Sequence, residues 1–192
     1  MRTIYGMPVP FLQSPNYNAR KTPRVITGIC LHVMQCAEIG QAAENIGSWA
    51  QSKKSAVSWH YGVDNNSIIQ HVDENDIAWA CGPANGWTIN IEQAGQANQT
   101  KEQWADPYSL ACVDNAAKVC ADIILRSEII MNCHLTDEQV KLKRGGIFDH
   151  AAVTRVFGGG NHWDCGESYP WGFLLEQTAF WMSKGPGHLY VP

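Results

Sequence analysis

The sequence predicts an α/β domain, with a central mixed β-sheet flanked by helices. Three stretches carry that expectation. "VITGICLHV" (25–33) and "TINIEQAG" (88–95) alternate apolar residues with others, as strands do. The third is a helix opening at Asp106-Pro107, a capping side chain followed by proline in the first turn. Leu110, Val113, Ala117, Cys120, Ile124 and Ser127 lie on one stripe of it, over about six turns.

The other elements follow in order. Pro8, Pro10, Pro15 and Pro23 make residues 8–24 read as extended, so 1–24 is expected as an arm wrapping the domain. In the first strand Ile26, Ile29, Leu31 and Val33 supply apolar bulk, while Cys30 and His32 share the opposite face near its end. "QAAENIGSWAQS" (41–52) spaces Ala43, Ile46 and Ala50 as a helix does. "AVSWHYGVDNNSIIQHV" (56–72) reads as strand, Asp-Asn-Asn turn and strand. In 88–95, Ile89 and Ile91 take one face, Asn90 and Glu92 the other. "KLKRGGIFDH" (141–150) leaves a loop for a short strand, and "PWGFLLEQTAFWM" (170–182) is a proline-started helix with Trp171, Leu174, Leu175 and Thr178 in register. The folded domain is expected over 25–183, with 184–192 as a C-terminal tail or linker.

Composition bounds the function. A chain of 192 residues with 45% apolar and 17% charged residues is an ordinary single domain. Its net charge of -4 gives no reason to expect nucleic acid or an anionic membrane as partner, and a monomer is expected. No apolar run is long enough to span a bilayer, and "MRTIYGMPVPFLQ" lacks the apolar core of a signal peptide, so synthesis in the cytoplasm is expected. Seven cysteines without C-x-x-C spacing, in a cytosolic product, read as free thiols, with Cys112 and Cys120 as small buried hydrophobes.

Three side chains are placed to hold a metal. His32 lies near a strand end, His150 follows a short apolar segment, and Asp164 sits in the glycine-rich loop "FGGGNHWDCGESYPW" (157–171). Catalytic zinc takes three such ligands and leaves a fourth position for water. Two imidazoles and one carboxylate would leave the ion a net positive charge and a strong Lewis acid. By spacing alone, seven histidines will also yield such a trio by chance.

Five segments in order resemble the zinc-dependent N-acetylmuramoyl-L-alanine amidases: "ITGICLHVMQ", "SAVSWHYGVDNNSIIQHVDENDIAWACG", "TINIEQAG", "GIFDHAAV" and "HWDCGESYPW". The resemblance spans residues 25–175, most closely in the manner of phage endolysin catalytic domains. It implies Zn2+ as cofactor, held by His32, His150 and Asp164. The third ligand in that family is an Asp or a Cys, and Cys165 stands where the family has proline after Asp, so Cys165 is the rival to Asp164. The resemblance also implies Glu92 as general base and His162 as the group that stabilises the oxyanion. Trp59, Trp79, Asn90 and Trp163 are expected to contact substrate. His60 reads as a satisfied histidine of the sheet, whereas Asp149, His71, His134 and His188 match nothing and are expected on the surface.

The implied substrate is bacterial peptidoglycan, cut between N-acetylmuramic acid and L-alanine, by a lysin that meets the wall after release from the cell. A cytoplasmic amidase recycling soluble muropeptides and a peptidoglycan-binding module without catalysis are the alternatives. Departures from the family pattern are Val33 after the first ligand, Ala80 in place of a His, Asn90 in place of Gly, Asp149 before the second ligand, and Cys165.

Overall fold

The computed structural model describes residues 2–186 and the backbone of 188–190. The arm region holds β1 (Arg2–Ile4), β2 (Met7–Pro8) and β3 (Tyr17–Asn18). Next come β4 (Gly28–Val33), α1 (Ala42–Ala50), β5 (Tyr61–Val63), β6 (Ile68–Gln70), β7 (Ile77–Ala78) and β8 (Thr88–Gln93). The second half contributes α2 (Lys101–Trp104), α3 (Pro107–Leu125), α4 (Asp137–Lys141), β9 (Gly146–Asp149), α5 (His150–Phe157), α6 (Trp171–Met182) and β10 (His188–Tyr190).

The central sheet is mixed and runs β6-β5-β8-β4-β9. β5, β8, β4 and β9 are parallel neighbours, and β6 closes one edge as the antiparallel half of the 61–70 hairpin. β4 sits between two parallel partners with all six residues buried, so its alternation separates two cores rather than core from water. On one face Ile29, Leu31, Ile89, Ile91 and Ile147 meet Cys112, Val113, Ala116 and Cys120 of α3 and Leu174 of α6. On the other, Cys30 and Phe148 meet Cys81, Trp87, Val140 of α4, and Ala152 and Val153 of α5.

α3 starts as its sequence dictates: the Asp106 side chain accepts the Ser109 N–H at 2.8 Å, and Pro107 opens the first turn. It is shorter than expected, 19 residues ending at Leu125. Ser127 lies beyond it, where its hydroxyl oxygen accepts the N–H groups of Ile129 and Ile130 and turns the chain away. α2 and α4, which periodicity does not predict, are single turns closed by capping boxes, Thr100 with Gln103 and Thr136 with Gln139.

The arm is docked. Ile4 is fully buried, Arg2 pairs with Asp122 at 2.7 Å, and β3 pairs with β7. Within the expected tail, β10 pairs antiparallel with β1 in the register Arg2↔Tyr190, so that stretch adds a strand to a small sheet. Among the described residues no helix is long and apolar enough to cross a membrane, and all seven cysteines are thiols.

Candidate active site

Parallel strands end on one side of the sheet, and in α/β folds such carboxyl edges collect functional groups. Here β4 delivers His32 as its penultimate residue, opposite Glu92 of β8 in the ladder. β9 ends at Asp149, whose Oδ1 accepts the Ala152 N–H at 2.8 Å and caps α5, so His150 is the first residue of that helix. The Ala151 N–H donates to the Asp164 carbonyl at 2.8 Å and ties the glycine-rich loop to the same helix start. Gly166 completes that loop at φ 93, where an added Cβ would stand 1.9 Å from the Ala97 carbonyl oxygen; only glycine fits.

These constraints bring three donor atoms face to face. His32 Nδ1 lies 3.2 Å from His150 Nδ1 and 3.5 Å from Asp164 Oδ2, and His150 Nδ1 lies 3.7 Å from that oxygen. Ligands on a tetrahedral ion at metal–ligand distances of about 2.0–2.2 Å stand ~3.3–3.6 Å apart, so the trio fits a zinc-sized cation with little movement. Cys165 does not join it: the thiol is fully buried in the main core, 3.9 Å from Gln93 Nε2, and its basicity is pushed well up by burial and then by the Asp149 carboxylate.

Glu92 Oε1 is 3.9 Å from His32 Nδ1, and its Oε2 is buried with no hydrogen-bond partner. Desolvation raises its pKa to about 7; His32 opposes that shift and the Asp164 carboxylate adds to it. Burial disfavours charge on both imidazoles, but Asp164, Cys81 and Glu92 outweigh it at His32 and hold that ring well above the ordinary histidine range. His150 goes the other way, to about 3, through burial and then the neighbouring His32 charge. Asp164 is lowered despite desolvation, because both histidines favour its carboxylate. His162 stacks on His150 at 3.9 Å between centroids, 3.8 Å from Asp164 Oδ1 through Nδ1, with half of its side chain exposed.

His32, Glu92, His150, His162 and Asp164 line a cleft of about 240 Å³, with Trp59 and Trp79 in its wall. Trp79 is 37% exposed and Trp59 only 3%, packed edge-on against His71. Trp163, 53% exposed, faces a neighbouring cavity of about 660 Å³ together with Trp171, His134 and Arg155. Asn90 departs from its expected contact with substrate. It is fully buried beneath His32, with Oδ1 3.0 Å from His32 Nε2 and Nδ2 donating to Thr88 Oγ1 at 3.3 Å. The reason is register: Asn90 pairs with Cys30, one step inside the sheet from the edge that carries Glu92.

His60 is the satisfied sheet histidine expected. Its Nδ1 accepts the Asn90 N–H at 2.9 Å, and burial with the adjacent Arg24 guanidinium holds its pKa near about 3. Arg24 in turn donates to the carbonyls of Glu74, Asn85 and Thr88. Asp149 and His71 are buried rather than superficial, the first as a helix cap and the second because its Nδ1 faces the Leu12 carbonyl at 3.2 Å under the arm. His134 is exposed, as expected, with its ring stacked on Trp171 at 3.6 Å, and the His188 side chain lies outside the described residues. Trp49, 56% exposed, and Gln35 line the cleft and were not anticipated; Trp49 stands on the outer side of a short helix, where sequence gives no sign of a site.

The fold is shared with solved structures of low sequence identity. The Staphylococcus aureus hydrolase AmiA, determined in complex with its ligand, is 19% identical, with a TM-score of 0.66 over 94% of this chain and 89% of that one. A mutant endolysin from Bacillus subtilis is 16% identical, with a TM-score of 0.54 over 94% and 99%. An AmpD derivative is 17% identical, with a TM-score of 0.57 over 88% and 93%. No curated protein matches the chain by sequence. The family model described as N-acetylmuramoyl-L-alanine amidase matches residues 21–167, which include every residue of the cleft described above. The chain therefore belongs to the N-acetylmuramoyl-L-alanine amidase family.

Proposed function

We propose that the chain is a zinc-dependent hydrolase of the bond between N-acetylmuramic acid and L-alanine, working on bacterial cell wall in the manner of a lysin. The observation that carries this reading is the convergence of His32 Nδ1, His150 Nδ1 and Asp164 Oδ2 within 3.7 Å, with the Glu92 carboxylate beside them and its Oε2 without a hydrogen-bond partner. A donor set of two imidazoles and one carboxylate suits zinc. When bound there, the ion supplies a Lewis acid and brings the pKa of bound water down to about 7.

The chain's own groups do the rest. Glu92, raised to about 7, accepts a proton from the attacking water and delivers it to the leaving amine nitrogen of L-alanine. His162 reaches over the cleft from the loop and donates a hydrogen bond to the oxyanion of the tetrahedral intermediate, a role worth ~3 kcal/mol for a single donor. Trp79 offers an aromatic face at the cleft wall, and Trp163 one on the adjoining cavity, for sugar rings or stem peptide.

The test is metal analysis of the purified chain together with digestion of purified walls. Bound zinc and release of peptides with N-terminal L-alanine support the reading; intact muramyl–alanine bonds in the presence of bound zinc overturn it. Comparing intact walls with soluble muropeptides separates a lysin from a recycling amidase, the role that would follow if only the fragments are cut.

A further inference from the structure

Behind the catalytic edge, on the same sheet face, the mechanism leaves a second group of donors unused. Cys30 and His32 alternate on β4, Asn90 is the ladder partner of Cys30, and Cys81 is brought over them where its backbone N–H is held by Asn85 Oδ1 at 2.7 Å. One donor atom each from Cys30, His32 and Cys81 lies within 4.8 Å of the other two. Asn90 Oδ1 adds a fourth, 3.0 Å from Cys81 Sγ and 3.0 Å from His32 Nε2. All four residues are at most 2% exposed.

We infer that Cys30, Cys81 and His32 Nε2, with the Asn90 carbonyl oxygen, form a second metal site for a soft or borderline divalent cation such as Cd2+ or Co2+. Thiolate is the soft ligand in the protein repertoire, and two of them select such ions over Mg2+ or Ca2+. Charge balance suits the burial. A divalent ion displaces one proton from each thiol to solvent, and two thiolates with a neutral imidazole and an amide oxygen leave the complex without net charge. The set beside Asp164 has one anionic ligand and keeps its ion cationic, so the two sites differ in kind.

They also share a ring. A neutral imidazole has one lone pair and one N–H. Coordination through Nε2 puts the proton on Nδ1, the atom that faces His150 and Asp164. Filling the thiol site therefore empties the other of one ligand, and this antagonism, unlike the thiol site itself, rests on the function proposed above.

The experiment is a Co2+ titration of the metal-free 192-residue chain followed by sulfur-to-cobalt charge-transfer absorption. A His150→Ala/Asp164→Ala double variant is expected to keep the band at one equivalent. Cys30→Ser and Cys81→Ser, each checked by circular dichroism, are expected to lose it. Absence of the band from the folded double variant overturns the site, as does its persistence in both serine variants, which would assign it to another cysteine. Cd2+ is expected to inhibit wall hydrolysis by the parent chain and not by Cys81→Ser; equal inhibition of both overturns the antagonism. A chain that never cuts wall material but shows the band loses the proposed function and keeps the thiol site.

Discussion

Asn90 and His32 come from adjacent strands, yet Asn90 Oδ1 reaches diagonally to within 3.0 Å of His32 Nε2. An amide oxygen only accepts, so it draws the imidazole proton to Nε2 and leaves the Nδ1 lone pair aimed at His150 and Asp164. Replacing Asn90 by Leu is expected to weaken zinc binding about 10–100-fold, whereas Asn90→Asp keeps the acceptor and most of the affinity. Chelator competition on the folded variants measures this, and equal affinity for Leu and Asn would remove the assigned role.

Asp164 and Cys165 are neighbours with opposite destinations, one turned to the histidines and one into the main core. Asp164→Ala is expected to abolish zinc binding between the two histidines and activity together. Cys165→Ala should retain both and lose about 1 kcal/mol of stability or somewhat more, from the small void it leaves. Elemental analysis beside thermal unfolding distinguishes them; metal loss from the cysteine variant alone would reverse the choice of ligand.

Glu92 approaches the site without belonging to the trio that converges on one point. Glu92→Gln is expected to leave metal content intact while lowering kcat by about 10²–10⁴-fold, the usual contribution of a positioned base. Parallel metal analysis and single-turnover kinetics read the two effects separately, and substantial activity in this variant would assign the proton transfer elsewhere.

Outside the set of residues that line the cleft, Glu74 is gripped by the Arg126 guanidinium through bonds of 2.8 and 2.9 Å and by the Tyr61 hydroxyl. Although burial works the other way, Arg126, Tyr61 and Arg2 lower its pKa from 4.5 to about 2. Between those values the unfolded chain binds more protons than the folded one, so stability present above pH 4.5 is lost as pH falls toward 2. The contribution is at most about 3 kcal/mol. Denaturant unfolding across that range should show a steeper acid loss for the parent chain than for Glu74→Gln.

The parallel core strands and α3 were legible because each repeats its pattern for several residues. Ile29-Leu31-Val33 and Ile89-Ile91 mark strands wherever they fall, and Asp106-Pro107 marks a helix start within a residue. His32, Glu92, His150 and Asp164 could be named from motif order, but their convergence depends on strand order and on a loop whose path Gly166 decides. α2 and α4 escaped because one turn carries no periodicity; Thr-x-x-Gln before each was the available sign. The position of Asn90 was not legible, since alternation assigns a face and not a depth along it. Nor was the docking of the arm through Arg24 onto three carbonyls, a long-range arrangement with no local signature.

His32 and Glu92 face each other across the ladder for the same reason that Leu31 faces Ile91: one alignment of β4 with β8 satisfies the oily side of both. Slide either by a single position and every group changes sides, putting isoleucine over the histidines and the carboxylate among the greasy packing of α3. Hydrophobic sorting thus acts as quality control on the chemistry, and a misaligned chain would be inert rather than sluggish.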